Sequence, residues 1–97
     1  MAKAAVRLPS LTELRQYVHE TLCRHENLVP DQFQLQETPL TRLGNRCGLQ
    51  FLLRGPRSVR LGAVWACEHS LLYFYDATGE RFLKQPLTVQ PALEPAA

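Results

Sequence analysis

Ninety-seven residues, 45% of them apolar, make one domain with one modest core; the chain is too apolar to be disordered. No apolar run is long enough to span a bilayer, and Met-Ala-Lys-Ala-Ala-Val-Arg at the start has no apolar stretch of the kind a secretory signal needs. Three cysteines, an odd count without framework spacing, agree with a reducing compartment, so a cytoplasmic setting is expected.

The formal net charge of +2 is unevenly spread. Arg42, Arg46, Arg54, Arg57 and Arg60 fall within residues 38–67, a stretch without a single acid. Arginine binds phosphate and carboxylate in a two-pronged fashion and stacks on aromatic rings. A strong arginine bias can also reflect genome composition alone.

Residues 1–9 read as a flexible arm. A helix then begins at Ser10, a good N-cap, with Glu13 completing a capping box. Leu11, Leu14, Val18 and Leu22 form one apolar stripe, while Glu13, Gln16, Glu20 and Arg24 face away. The helix should end near residues 25–27, because Pro30 cannot continue it. Phe33 and Leu35 alternate with Gln32, Gln34 and Gln36, the pattern of a half-buried strand, and Pro39 suggests an edge position.

After a turn at residues 43–46, Cys47, Leu49, Phe51 and Leu53 share one face and Gly48, Gln50, Leu52 and Arg54 the other. A Gly-Pro turn leads to a strand with Val59, Leu61, Ala63, Trp65 and Cys67 inward, and Ser58, Arg60, Gly62, Val64 and Ala66 outward. Glu68-His-Ser turns the chain into Leu71–Tyr75. Asp76-Ala-Thr-Gly79 fits a type I turn with glycine in the left-handed position, and a last strand covers residues 80–84. Residues 88–97, rich in proline and alanine, read as a disordered tail.

The sum is an α+β domain over residues 10–87: an N-terminal helix packed on one face of a four- to five-stranded antiparallel β-meander. One helix cannot cover both faces of a sheet. The uncovered face should carry Gln50, Leu52, Arg54, Arg60, Val64, Tyr73 and Tyr75, with Arg57 at a hairpin tip. Tyrosine and arginine are enriched at interface hot spots. This points to a non-enzymatic module binding a protein partner, another copy of itself included, through that face. The alternative is single-stranded nucleic acid, held by the Arg-rich hairpin with bases stacked on the tyrosines. A one-residue slip after residue 70 would turn the tyrosines inward and remove this site.

Other chemistry is weaker. Cys23-Arg-His25 and Cys67-Glu-His69 are two Cys-x-His pairs, with His19 one turn before Cys23, and such ligands can hold zinc. Their spacing matches no finger or ribbon, and Cys47 and Cys67 share parity with the core, so no metal or other cofactor is expected. No nucleophile elbow, phosphate loop or carboxylate pair points to catalysis, and no small-molecule substrate is inferred. Tyr73-Phe-Tyr-Asp-Ala-Thr-Gly-Glu-Arg81 resembles one copy of the YD repeats of large secreted bacterial toxin shells. The resemblance covers nine residues, occurs once, and implies a hairpin with no function attached.

Overall fold

A computed structural model describes residues 4–29, 32–42 and 45–92. In chain order it contains β1 (Val6–Arg7), α1 (Leu11–His25), β2 (Leu35–Arg42), β3 (Asn45–Arg54), β4 (Arg60–Ala66), β5 (Leu71–Tyr75) and β6 (Arg81–Val89). The strands form one six-stranded sheet in the order β1-β6-β5-β4-β3-β2. The α+β architecture is as expected. The strand count is not: the sheet has six strands, because residues 6–7 join it as β1.

The capping box forms. The Ser10 hydroxyl accepts from the Glu13 amide at 3.2 Å and donates to the Glu13 carboxylate at 3.0 Å. At the other end Asn27 turns left-handed, with φ 56°. The Leu28 amide then donates to the Cys23 carbonyl at 2.8 Å and the Asn27 amide to the Arg24 carbonyl at 3.3 Å, the paired bonds of a Schellman stop.

α1 buries Leu14, Val18, Leu22 and Cys23 against the sheet. The sheet answers with Leu49, Phe51, Leu53, Leu61, Ala63, Trp65, Leu72 and Phe74, all buried. Tyr17 meets Phe74 edge to face, ring centroids 6.2 Å apart. The register after residue 70 is therefore the one expected, with Phe74 inward. Ser70, left-handed at φ 52°, ends the short 3-10 turn that makes this corner.

Two stretches of chain are drawn in more closely than their composition suggests. β1 pairs in parallel with β6, Val6 opposite Leu87, and Leu8 is buried. β6 runs on through Pro86 to Val89. Proline fits there because the neighbouring Leu87 amide donates to the Ser70 carbonyl on the β5 side. Donors alternate along a strand, so the missing one at Pro86 points the other way, where β1 does not yet pair. Of the segments read as arm and tail, residues 1–3 and 93–97 lie outside the described residues, as do Leu43 and Gly44 of the expected turn.

Candidate functional site

The ladder pairings lay out the sheet face opposite α1 as rows. One row is Leu40, Gly48, Ala66, Leu71 and Pro86. The next is Thr38, Gln50, Val64, Tyr73 and Lys84, and the third Gln36, Leu52, Gly62, Tyr75 and Arg81. Arg54 and Arg60 face each other in the last. The middle of this face is small or apolar: Leu52, Val64, Ala66, Leu71, Tyr73, Tyr75 and Pro86 are each half-buried. Among the described residues there is no second helix to cover it.

Its electrostatics are one-sided. Arg54, Arg60, Arg81 and Lys84 are exposed on it, and no row contains an acid. The one ion pair among the described residues, Arg15 with Glu37, lies on the helix side. Arg54 directly opposite Arg60 is a like-charge cross-strand pair, an arrangement that costs stability. The Arg81 guanidinium carbon sits 5.3 Å from the centre of the Tyr73 ring, a cation–π contact that leaves its N–H edge free for an anion.

The turn beyond Arg54 and Arg60 is strained. Arg57 and Ser58 are consecutive non-glycine residues with φ of 57° and 64°. The geometry holds because the Gly55 amide and Val59 carbonyl close the hairpin at 2.8 Å. It presents Arg57, exposed, at the tip. The neighbouring β5–β6 turn keeps its own acid occupied. Asp76 Oδ1 accepts from the Thr78 hydroxyl at 2.7 Å and from the Thr78 and Glu80 amides at 2.9 and 3.0 Å. The Thr78 side-chain hydrogen bond is the main cause holding the Asp76 carboxyl below its usual value.

Seven of the residues singled out in the sequence, Gln50, Leu52, Arg54, Arg60, Val64, Tyr73 and Tyr75, thus share one face, and Arg57 stands at its edge. Arg81 and Lys84 were missed. They differ in parity, yet both face outward because a β-bulge between Phe74 and Tyr75 inserts Phe82 on the helix side. There Phe82 stacks on His25 at 3.7 Å. Strict alternation along the sequence cannot show such a bulge.

Of the residues of the metal hypothesis, His69 stands exposed on the 3-10 turn that Cys67 opens, and the others are engaged. Cys23 is buried in the core, His19 Nε2 is 2.6 Å from the Phe33 carbonyl, and His25 lies on Phe82. Among the described residues no three potential ligands converge. A groove of about 440 Å³ between α1 and β2 is lined by Arg15, His19, Phe33 and Glu37, whose polar groups already satisfy one another. No described helix is long and apolar enough to cross a membrane. Comparison with known protein families, characterised proteins and solved structures finds no match for this chain.

Proposed function

We propose that this domain is a non-enzymatic interaction module whose partner is an acidic protein segment laid across the outer sheet face. The observation that carries the reading is the sidedness of charge on a half-apolar surface. Apolar side chains of the partner would cover the Leu40–Pro86 row and Val64, and its carboxylates would meet Arg54, Arg60, Arg81 and Lys84. Interfaces of this kind combine an apolar centre with a charged rim, and complementary charge sets the partner's identity. A second copy is the poorer partner, since face-to-face pairing would oppose like charges.

Selection of a random peptide display library on the immobilised domain tests this. Enriched peptides should combine Asp or Glu with aliphatic residues. Their binding should fall at least about tenfold in an Arg54→Ser, Arg60→Ser, Arg81→Ser variant, a loss of about 1.4 kcal/mol. Peptides that bind wild type and a Leu52→Ser, Tyr73→Ala variant equally would overturn it.

A second reading rests on Tyr73 and Tyr75 standing on an open face beside free guanidinium groups: single-stranded nucleic acid, its bases stacked and its phosphates paired. It requires oligothymidine or oligouridine to bind with an affinity that falls steeply with salt. The absence of such binding at low ionic strength removes it.

A further inference from the structure

The odd cysteine count divides in the structure. Cys23 is shut in the core at 1% exposure, whereas Cys47 and Cys67 are both partly open to solvent. They lie one step beyond the last ladder pair of β3 and β4, Gly48 opposite Ala66, and share the helix-side parity of Leu49 and Trp65. The strands are drawn tightly together at this point. A Cβ on Gly48 would stand 1.8 Å from the Trp65 carbonyl oxygen, so only glycine fits. The Cys67 thiol donates to the Cys47 carbonyl at 2.9 Å, which sets its sulfur against the Cys47 backbone. Burial pushes the Cys67 thiol up, and the nearby Cys47 adds to that. Cys47 is the extra residue at the β2–β3 register shift and Cys67 opens the 3-10 turn, so it is the Cys67–Cys47 hydrogen bond, rather than ladder pairing, that brings the two residues together. The neighbouring pair Gly48 and Ala66 has the Cα spacing of opposed antiparallel residues, about 4.5–5.5 Å. A disulfide needs roughly 4.4–6.8 Å.

We propose that Cys47 and Cys67 form a dithiol site that a hydroperoxide closes to an intramolecular disulfide. One thiol attacks the peroxide, the O–O bond breaks, and the sulfur becomes a sulfenic acid as the first water or alcohol leaves. The second thiolate displaces the sulfenic oxygen, which departs as water with the second thiol's proton. Two thiol hydrogens are lost, one S–S bond is made, and the peroxide is reduced by two electrons. Cys67 is the resolving member of the pair: its hydrogen bond to the Cys47 carbonyl holds it protonated and within reach. No outside thiol is needed, because the partner sulfur is already in place. Cys23 takes no part, since the core encloses it.

The test uses the full chain, reduced, freed of reductant, and treated with hydrogen peroxide in its folded state. It is then unfolded and alkylated with N-ethylmaleimide. The three thiols that alkylate before oxidation should fall to one, with a mass loss of two hydrogens before alkylation. Trypsin should release residues 47–54 joined to residues 61–81, with Cys23 alkylated on residues 16–24. Closure should be about tenfold or more faster in the folded chain than in guanidinium, where proximity is lost. Cys23→Ser should still form the link. Cys47→Ser should lose it and leave Cys67 to oxidise further or to join two chains. Retention of three alkylatable thiols, sulfinic acid at Cys47 or Cys67 in wild type without a link, or a link through Cys23 would each overturn the proposal.

Discussion

Gln85 is the one polar side chain that the described residues bury, at 1% exposure, and its amide is fully used. Its oxygen accepts from the Tyr17 hydroxyl at 3.2 Å, and its nitrogen donates to the Ala4 carbonyl at 2.7 Å and the Pro86 carbonyl at 3.0 Å. One side chain therefore ties α1, β6 and the chain before β1 together. Gln85→Leu keeps the volume but strands those partners, and we expect it to cost about 1–3 kcal/mol in urea unfolding. Adding Tyr17→Phe should cost less than the two single changes summed, because they share one bond. The same region governs behaviour at high pH. Burial pushes Tyr17 above its ordinary 10.0, and Cys23 and Cys67 above their ordinary 9.0. The unfolded chain loses these protons first, so their contribution is complete below about pH 9 and is lost as pH rises past it. Unfolding free energies measured from about pH 7 to about 11 should decline across that range. A flat profile would contradict it.

Among the elements, the hairpin of β4 and β5 is the centre of the core. Trp65, Leu72 and Phe74 are fully enclosed beneath α1. Trp65 also anchors the chain after β6: its indole N–H donates to Gln90 Oε1 at 2.9 Å, and Gln90 donates on to the Cys67 carbonyl at 2.8 Å. Trp65→Ala should cost about 3–5 kcal/mol. Leu52→Ala, on the open face, should cost far less, and equal losses in thermal unfolding would show that this face is packed after all. The elements legible in the sequence are those whose signal is local. The capping box marks α1, the alternation of β3 from Leu49 onward and of β4 is regular, and Asp76 with Gly79 (φ 86°) marks the β5–β6 turn. What was not legible depends on distant partners. Val6 and Arg7 become a strand only because β6 offers an edge, and β6 runs through Pro86 only because β1 pairs so little of it. Arg81 and Lys84 reach the outer face through a bulge that leaves no mark in the apolar pattern.

At the scale of the whole molecule, charge and edges are managed unequally. β2 is the open edge of the sheet. It is guarded by Pro39, which cannot donate, and by Glu37, which turns toward α1 to meet Arg15. The outer face has no such guard and keeps its cations together at a cost. Relieving the Arg54–Arg60 opposition with Arg60→Thr should raise stability by about 0.2–1 kcal/mol at low salt. The gain should shrink as the Debye length falls to about 3 Å near 1 M salt. A loss of stability at low salt would mean that Arg60 is held by an attraction the fold does not display. The pairing of β1 with β6 has a further consequence. The Thr88 hydroxyl donates to the Val6 carbonyl across 82 positions of sequence, at 3.3 Å. During vectorial synthesis the helix and the hairpins from β2 to β5 can assemble as they emerge. β1 must wait, unpaired, until nearly the whole sheet exists. Its docking is then the step that seals the β6 flank, and a nascent chain halted before residue 81 leaves β5 as a bare edge, open to pairing with its neighbour on the same message.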